Sequence, residues 1–294
     1  MKSDYNGIYV ASVTPFDAKG AVNKDALVTL MERNQKEGAR GFFIGGSSAE
    51  CFLLSHKERC ETFEAAASFR GRTRLIAHVG ALSTAEAVEF ALEAKKLGYE
   101  SIAATPPFYY QYSVGDICGY YYDIARASGL PVIVYNFPGN TKREFDLANP
   151  EYRKLFTSSA IRGVKHTNQV VYQMERFLEL NPELEIYNGF DETMAAGLAL
   201  GARSSIGSTF NCMLPHYRKL YETFLSGDFE GATRIQHKAN NIMEAMCTVG
   251  LIPAIKYILQ KQGIDAGEPR APFHSLNAEQ KALIDRTLEK DLIE

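Results

Sequence analysis

A lysine interrupts the short apolar run "AIRGVKH", residues 160–166, and a tyrosine stands near the end of the run before it, "PVIVYNF", residues 131–137. Long charged side chains are rarely buried fully unless something holds or uses them. In an apolar setting the amine of Lys165 would hold its proton less tightly, because desolvation disfavours the ammonium. A free amine attacks a ketone and forms a Schiff base, whose iminium withdraws electrons from the adjacent carbon. A lysine at this position can equally snorkel to solvent or pair with a carboxylate. Tyr135, one strand earlier, could shuttle protons between such an amine and a substrate hydroxyl. Alone, it reads better as a packed ring with a hydrogen-bonded hydroxyl.

Three further stretches bear on the choice. "IGGSSAE", 44–50, sets two glycines beside Ser47 and Ser48, and close-set N–H groups and hydroxyls suit a carboxylate or phosphate oxygen. No Gly-Lys-Ser/Thr follows, so a nucleotide P-loop is unsupported, and a plain tight turn built from small residues accounts for the stretch as well. "YNGFDE", 187–192, and "IGSTFN", 206–211, put Asp191, Glu192 and Ser208 at consecutive strand ends. Carboxylates and hydroxyls together suit a polyol, although acidic residues also favour a helix N-terminus. "TPPFYYQYS", 105–113, is an aromatic loop whose Tyr109 or Tyr110 could reach a site, pack, or meet a neighbouring subunit.

These residues need elements to position them. Short β-branched or aromatic runs recur at 7–13, 40–46, 74–80, 100–106, 131–137, 160–166, 184–190 and 203–209. Helical signals lie between most of them. Ser55–Glu58 and Ser83–Glu86 read as capping boxes, and Gly98 as a left-handed stop. Strands alternating with helices pair in parallel. Eight such units predict an α/β fold, a closed (β/α)8 TIM barrel, and no GxGxxG fingerprint follows the first strand to suggest an open doubly wound sheet. Beyond residue 210 only helices are expected, near 214–225, 228–247, 250–262 and 276–291. The chain therefore divides into a barrel, 1–227, and a C-terminal helical appendage, 228–294, packed as one structural unit. In this fold active sites form at the C-terminal ends of the strands, where Ser47, Tyr135, Lys165, Asp191 and Ser208 would converge.

The 294 residues are 46 % hydrophobic and 23 % charged with a net charge of −3. That is an ordinary globular balance with no basic nucleic-acid surface. The N-terminal residues lack a secretory core and no apolar run reaches spanning length, so no membrane partner is expected. Five scattered cysteines without CxxC spacing read as reduced core thiols of a cytoplasmic protein. Six histidines without HExxH or paired spacing give no metal site.

Taken in order, "VTPF", "GGSSAE", "TPPFYY", "VYN.P", "GVKHT" and "RAPF" resemble the N-acetylneuraminate lyase and dihydrodipicolinate synthase family of class I aldolases over essentially the whole chain. Within it, "YNGFDE" with "IGSTFN" is most similar to the lyases that act on sialic acid. The resemblance implies a homotetramer using neither metal nor organic cofactor, with a small-molecule substrate. It implies Lys165 as the Schiff-base lysine and Tyr135 as proton shuttle. Ser47 and Ser48 would bind the carboxylate of the pyruvate portion, with Ser48 near the proton relay. Thr167, Gly189, Asp191, Glu192 and Ser208 would line or hold the sugar chain, and Tyr109 would reach across a subunit interface. Ala49 stands where the family usually has glycine, which matters if that position needs positive φ. The segment after Tyr135, "NFPGNTKREF", differs from the usual lyase wall, and Asn140 replaces the synthases' arginine clamp for a second carboxylate. Retro-aldol cleavage of a sialic acid is the reading expected. A pyruvate-dependent aldolase or dehydratase for a 2-keto-3-deoxy sugar acid is the nearest alternative, followed by the synthase reaction and by a silent keto-acid binder.

Overall fold

Alternating side chains on a β-strand point to opposite faces, and here that period decides what fills the barrel. The computed structural model describes residues 5–293, so residues 1–4 and 294, the outer ends of the two expected units, lie outside the described residues. Eight strands, β1 Gly7–Ala11, β2 Gly41–Ile44, β3 Arg74–His78, β4 Ser101–Ala104, β5 Val132–Asn136, β6 Ile161–His166, β7 Glu185–Asn188 and β8 Ser204–Gly207, pair in sequence order. All pairs are parallel and β8 closes on β1. Each expected strand is present.

Along the strands the residues of one parity face inward, except at the start of β6, where Ile161 joins the helix-side cluster beside a register shift against Val132 and Ile133. Tyr9, Phe43, Ile76, Ala103, Ile133, Tyr135, Tyr187 and Ile206 form one buried cluster inside the barrel. Their neighbours, such as Val10, Phe42, Ala77, Val134, Val164 and Ile186, join a second cluster shared with the helices. Complete burial of such a side chain is worth roughly 1.5–3 kcal/mol, so a one-residue slip of any strand is heavily disfavoured. The N-terminal end of the interior is sealed by an Arg74–Glu185 ion pair at 2.7 Å and by Tyr187, whose hydroxyl donates to Glu185 at 2.9 Å. Gly163 of β6 lets this layer close. A Cβ there would fall inside contact distance of the Glu185 carbonyl oxygen.

The outer helices are α1 Lys24–Lys36, α2 His56–Ala66, α3 Thr84–Lys96, α4 Val114–Ser128, α5 Pro138–Thr141, α6 Pro150–Phe156, α7 Gln173–Leu180, α8 Met194–Ala199 and α9 Phe210–Leu225. Ser55 and Glu58 form the expected capping box of α2. At α3 only half of the expected box exists. Ser83 accepts from the Glu86 N–H, while the Glu86 side chain lies toward His56 at 3.9 Å. Gly98 follows α3 with φ +80°, as its position predicts. Ser113–Asp116 makes a full box on α4 that the sequence reading did not identify.

Three helices follow the barrel: α10 Phe229–Val249, α11 Leu251–Lys261 and α12 Ala278–Asp291. Gln236 of α10 donates to the Asp191 carbonyl at 3.1 Å and Asn240 to that of Glu192 at 3.2 Å, so this helix backs the loop after β7. Among the described residues no single helix is long and apolar enough to cross a membrane; α10 and α11 together have the length but bend by 113°. The cysteines are unpaired, with Cys51, Cys118 and Cys212 buried. Cys247 is exposed on α10 and corrects the expectation that all five are core thiols.

Gly163→Ala is expected to cost about 3 kcal/mol or more, because the added methyl meets rigid backbone rather than a movable side chain. Urea unfolding of the variant beside the parent protein measures it; an unchanged midpoint would contradict this packing.

Candidate active site

Lys165 sits opposite Tyr135 across the β5–β6 pair and opposite Tyr187 across β6–β7. Both partners belong to the interior cluster, so the pleat turns Lys165 inward with them. The lysine is 4 % exposed. Its Nζ lies 3.8 Å from the centre of the Tyr135 ring and 4.5 Å from that of Phe43. Among the described residues it makes no ion pair, which removes the reading of Lys165 as half of a structural salt bridge. An amine between two rings, unlocked by any carboxylate, remains available to an incoming carbonyl carbon.

Tyr135 is fixed on three sides. Its ring stacks on Phe137 at 5.6 Å and meets Phe43 and His78 edge-on. Its hydroxyl donates to Ser47 Oγ over 3.5 Å. The hydroxyl that meets the phenol is that of Ser47. Both serines are half-buried in the one-turn helix Ser47–Ala49. Ala49 lies within that turn without positive φ. The left-handed residue is the next one, Glu50, with φ 59° and ψ 31°. Replacing the family glycine by Ala49 therefore costs no backbone strain here.

Parity also reveals a residue that the sequence reading passed over. His78 follows Ile76 at the inward-facing end of β3, as Thr105 follows Ala103 after β4. Because Gly45 O can only accept, the bond at 2.9 Å assigns the proton to Nδ1 of His78. Its Nε2 accepts from the Thr105 N–H at 3.4 Å. Burial, helped by the Arg59 charge, pulls its pKa down to about 3. A neutral imidazole thus braces both the Gly45–Gly46 turn and the Tyr135 ring. His166, facing the helices, is likewise drawn down to about 4 by burial.

At the ends of β7 and β8 the polar groups meet. Asp191 is buried, and its Oδ2 accepts from the Thr209 N–H at 2.8 Å, Thr209 Oγ1 at 2.7 Å and Ser208 Oγ at 3.2 Å. Burial raises its pKa, opposed by the Thr209 bonds and by the Lys165 charge. Glu192 is raised by burial too, with repulsion from Asp191 adding to the effect, and its Oε2 has no partner. The Thr167 hydroxyl is also buried and unpartnered. Gly189 is needed beside it, because a Cβ there would collide with Thr167 Oγ1. Unpaired buried hydroxyls and carboxylate oxygens cost free energy unless a ligand meets them. Phe190 meets Phe137 edge-on at 6.0 Å and adds an aromatic wall that was not anticipated.

Tyr109 is not drawn into this mouth. It contacts the Tyr110 ring and stays 73 % exposed. Asn140 is exposed on α5.

The chain matches the dihydrodipicolinate synthetase family over residues 4–291. It is 38 % identical over 271 residues to the N-acetylneuraminate lyase of Rhizobium meliloti (strain 1021), an alignment covering 92 % of this chain and 90 % of the relative. The structure is similar to CdNal from Clostridium difficile in complex with mannosamine, with a TM-score of 0.93, 33 % identity and coverage of 99 % of this chain and 100 % of that one. It is similar also to the N-acetylneuraminate lyase from Fusobacterium nucleatum complexed with pyruvate, with a TM-score of 0.91 and 32 % identity over 98 % of this chain and 97 % of the other.

His78 and His166, two of the three histidines buried among the described residues, carry a pH dependence. Their folded pKa values lie below the ordinary 6.5, so between those values the unfolded chain binds more protons. Their contribution is complete above pH 6.5 and falls as the pH drops toward about 4, by about 1.4 kcal/mol per pH unit for each. Urea unfolding of the parent and His78→Gln across this range checks it. The variant's slope is expected to be shallower, and equal slopes would refute the assignment.

Proposed function

We propose that this chain, which belongs to the dihydrodipicolinate synthetase family, is a class I aldolase that cleaves N-acetylneuraminate to pyruvate and N-acetylmannosamine. The observation that carries the reading is the in-register pair Tyr135 and Lys165, with the amine unpaired between aromatic rings. The lyase relatives, one solved with mannosamine and one with pyruvate, support the two product classes.

Lys165 Nζ attacks the C2 ketone of the open-chain acid; the Tyr135 hydroxyl gives its proton to the carbinolamine oxygen, which leaves as water, and an iminium forms beside the Tyr135 phenolate. The Tyr135 oxygen takes the proton of the C4 hydroxyl as the C3–C4 bond breaks. The bonding pair moves into the iminium, giving an enamine, and C4 departs as the aldehyde carbon of N-acetylmannosamine. Tyr135 returns the proton to C3, and water hydrolyses the iminium to pyruvate and the free amine. Ser47 and Ser48 hold the pyruvate carboxylate with hydroxyl and N–H donors, and Ser47 keeps the Tyr135 hydroxyl aimed. Asp191, Glu192, Ser208, Thr167 and the Gly189 backbone take the sugar hydroxyls. The unpartnered Glu192 oxygen and Thr167 hydroxyl support that assignment. No metal or organic cofactor enters this sequence of steps.

The barrel and its extension, divided at 227/228, act as one unit. The exposed Tyr109 and Tyr110, beside Phe108 and Phe52, support a homotetramer in which Tyr109 reaches a neighbouring subunit. Five unpaired thiols support a cytoplasmic location.

Steady-state cleavage across several sialic acids and shorter 2-keto-3-deoxy acids tests the substrate. N-acetylneuraminate is expected to give the highest kcat/KM, and preference for a short unacetylated acid would move the reading to the sugar-acid aldolases. Tyr135→Phe should lower kcat by roughly 10²- to 10⁴-fold; retention of full kcat would remove the phenol from the proton path. Light scattering should give the mass of four chains.

A further inference from the structure

Ser47 and Ser48 stand in a single short turn, and the geometry of that turn depends on its next residue. Glu50 adopts a left-handed backbone, a conformation that a non-glycine residue holds only when its surroundings enforce it. The enforcing groups come from the C-terminal extension. Lys256 of α11 places Nζ 2.9 Å from Glu50 Oε1, both side chains being almost completely buried. The backbone N–H of Arg270 donates to Glu50 Oε2 at 2.7 Å. The Lys256 ammonium also donates to the Glu268 carbonyl and lies over the Phe16 ring.

The same loop grips the chain just beyond the turn. The Arg270 guanidinium binds both Glu58 oxygens, at 2.7 and 2.9 Å, and the Leu53 carbonyl at 3.1 Å. From the other side Thr14 Oγ1 donates to the Ala49 carbonyl at 2.8 Å. Residues 49–58 are thus held by contacts far away in sequence, and none of these groups belongs to the mouth where Lys165 lies. A buried ion pair is a poor source of net stability, because desolvation offsets its attraction, while geometric specificity is its better-supported use.

We propose that Lys256 and Arg270 are positioning residues, which hold Glu50 left-handed and so fix the Ser47–Ser48 donors that grip the pyruvate carboxylate. The inference rests on the functional reading above. It assigns the extension a part in binding rather than in covering the barrel alone. A misplaced carboxylate site weakens pyruvate binding first, whereas Lys165 and the Tyr135 ring, held by β5 and β6 and by Phe137, Phe43 and His78, keep their places, so that Tyr135 loses only the aim that Ser47 gives its hydroxyl.

The test is the condensation of pyruvate with N-acetylmannosamine by the parent chain, Lys256→Met and the double variant Glu50→Gln/Lys256→Met. The double variant leaves no uncompensated buried charge, so it reports even if the single variant fails to fold. Each folded variant is expected to raise the pyruvate KM about tenfold or more while kcat at saturating pyruvate changes less. A merely structural role would lower the melting temperature and the active fraction and leave the pyruvate KM of the folded enzyme unchanged. That result, with an active parent, overturns this inference alone. A parent chain that catalyses no condensation overturns the functional reading and this inference with it.

Discussion

The pleat of β6 is the constraint on which the site depends. Val164 and His166 face the helices, so Gly163 and Lys165 face the barrel axis, and a one-residue slip that turned Lys165 outward would pull Val164 out of the helix-side cluster and into the interior. Register then pairs Lys165 with Tyr135 on one side and Tyr187 on the other. The glycine and the lysine divide the interior between them. Gly163 lets the Arg74–Glu185 layer close the N-terminal end, and Lys165 rises above that layer toward the mouth. A cation in this position is costly to desolvate unless it is paired or used. The ion pair that would satisfy it has been placed lower in the barrel, between other residues.

Around this lysine the structure separates rigid positioning from unmet hydrogen-bonding capacity. Tyr135 is braced by Phe137, Phe43 and a neutral His78, and Asp191 is saturated on one oxygen by Thr209 and Ser208. Thr167 and Glu192 retain unpaired polar atoms in the same mouth. A preorganised acid–base pair beside unfilled acceptors suits a polyhydroxy keto acid better than a purely apolar ligand. The carboxylates are also backed from outside, since Gln236 and Asn240 of α10 hold the Asp191 and Glu192 carbonyls.

Much of this was legible in the sequence, and the limits have physical causes. The eight strands announced themselves as short apolar runs, and Lys165 stood out because a charge interrupts one of them. The same parity argument would have found His78 and Thr105, each two residues beyond an inward apolar position. They were overlooked because histidine and threonine break a hydrophobic run less conspicuously than lysine. Ala49 raised a concern over backbone strain that falls instead on Glu50, since a one-turn helix absorbs an L-residue at the earlier position. The Lys256 and Arg270 contacts to Glu50 had no local signature at all. They join segments distant in sequence, and only tertiary packing shows that α11 reaches the turn. Ser83 shows the converse failure, where a local motif was present but Glu86 found a tertiary neighbour in His56.

The central claim is that one inward-facing amine bonds covalently to a ketone carbon. Reducing the protein with borohydride in the presence of pyruvate and mapping the product by peptide mass spectrometry tests it most directly. The account predicts one reduced adduct, on Lys165 and on no other lysine. An unmodified Lys165, or an adduct located elsewhere, would contradict it.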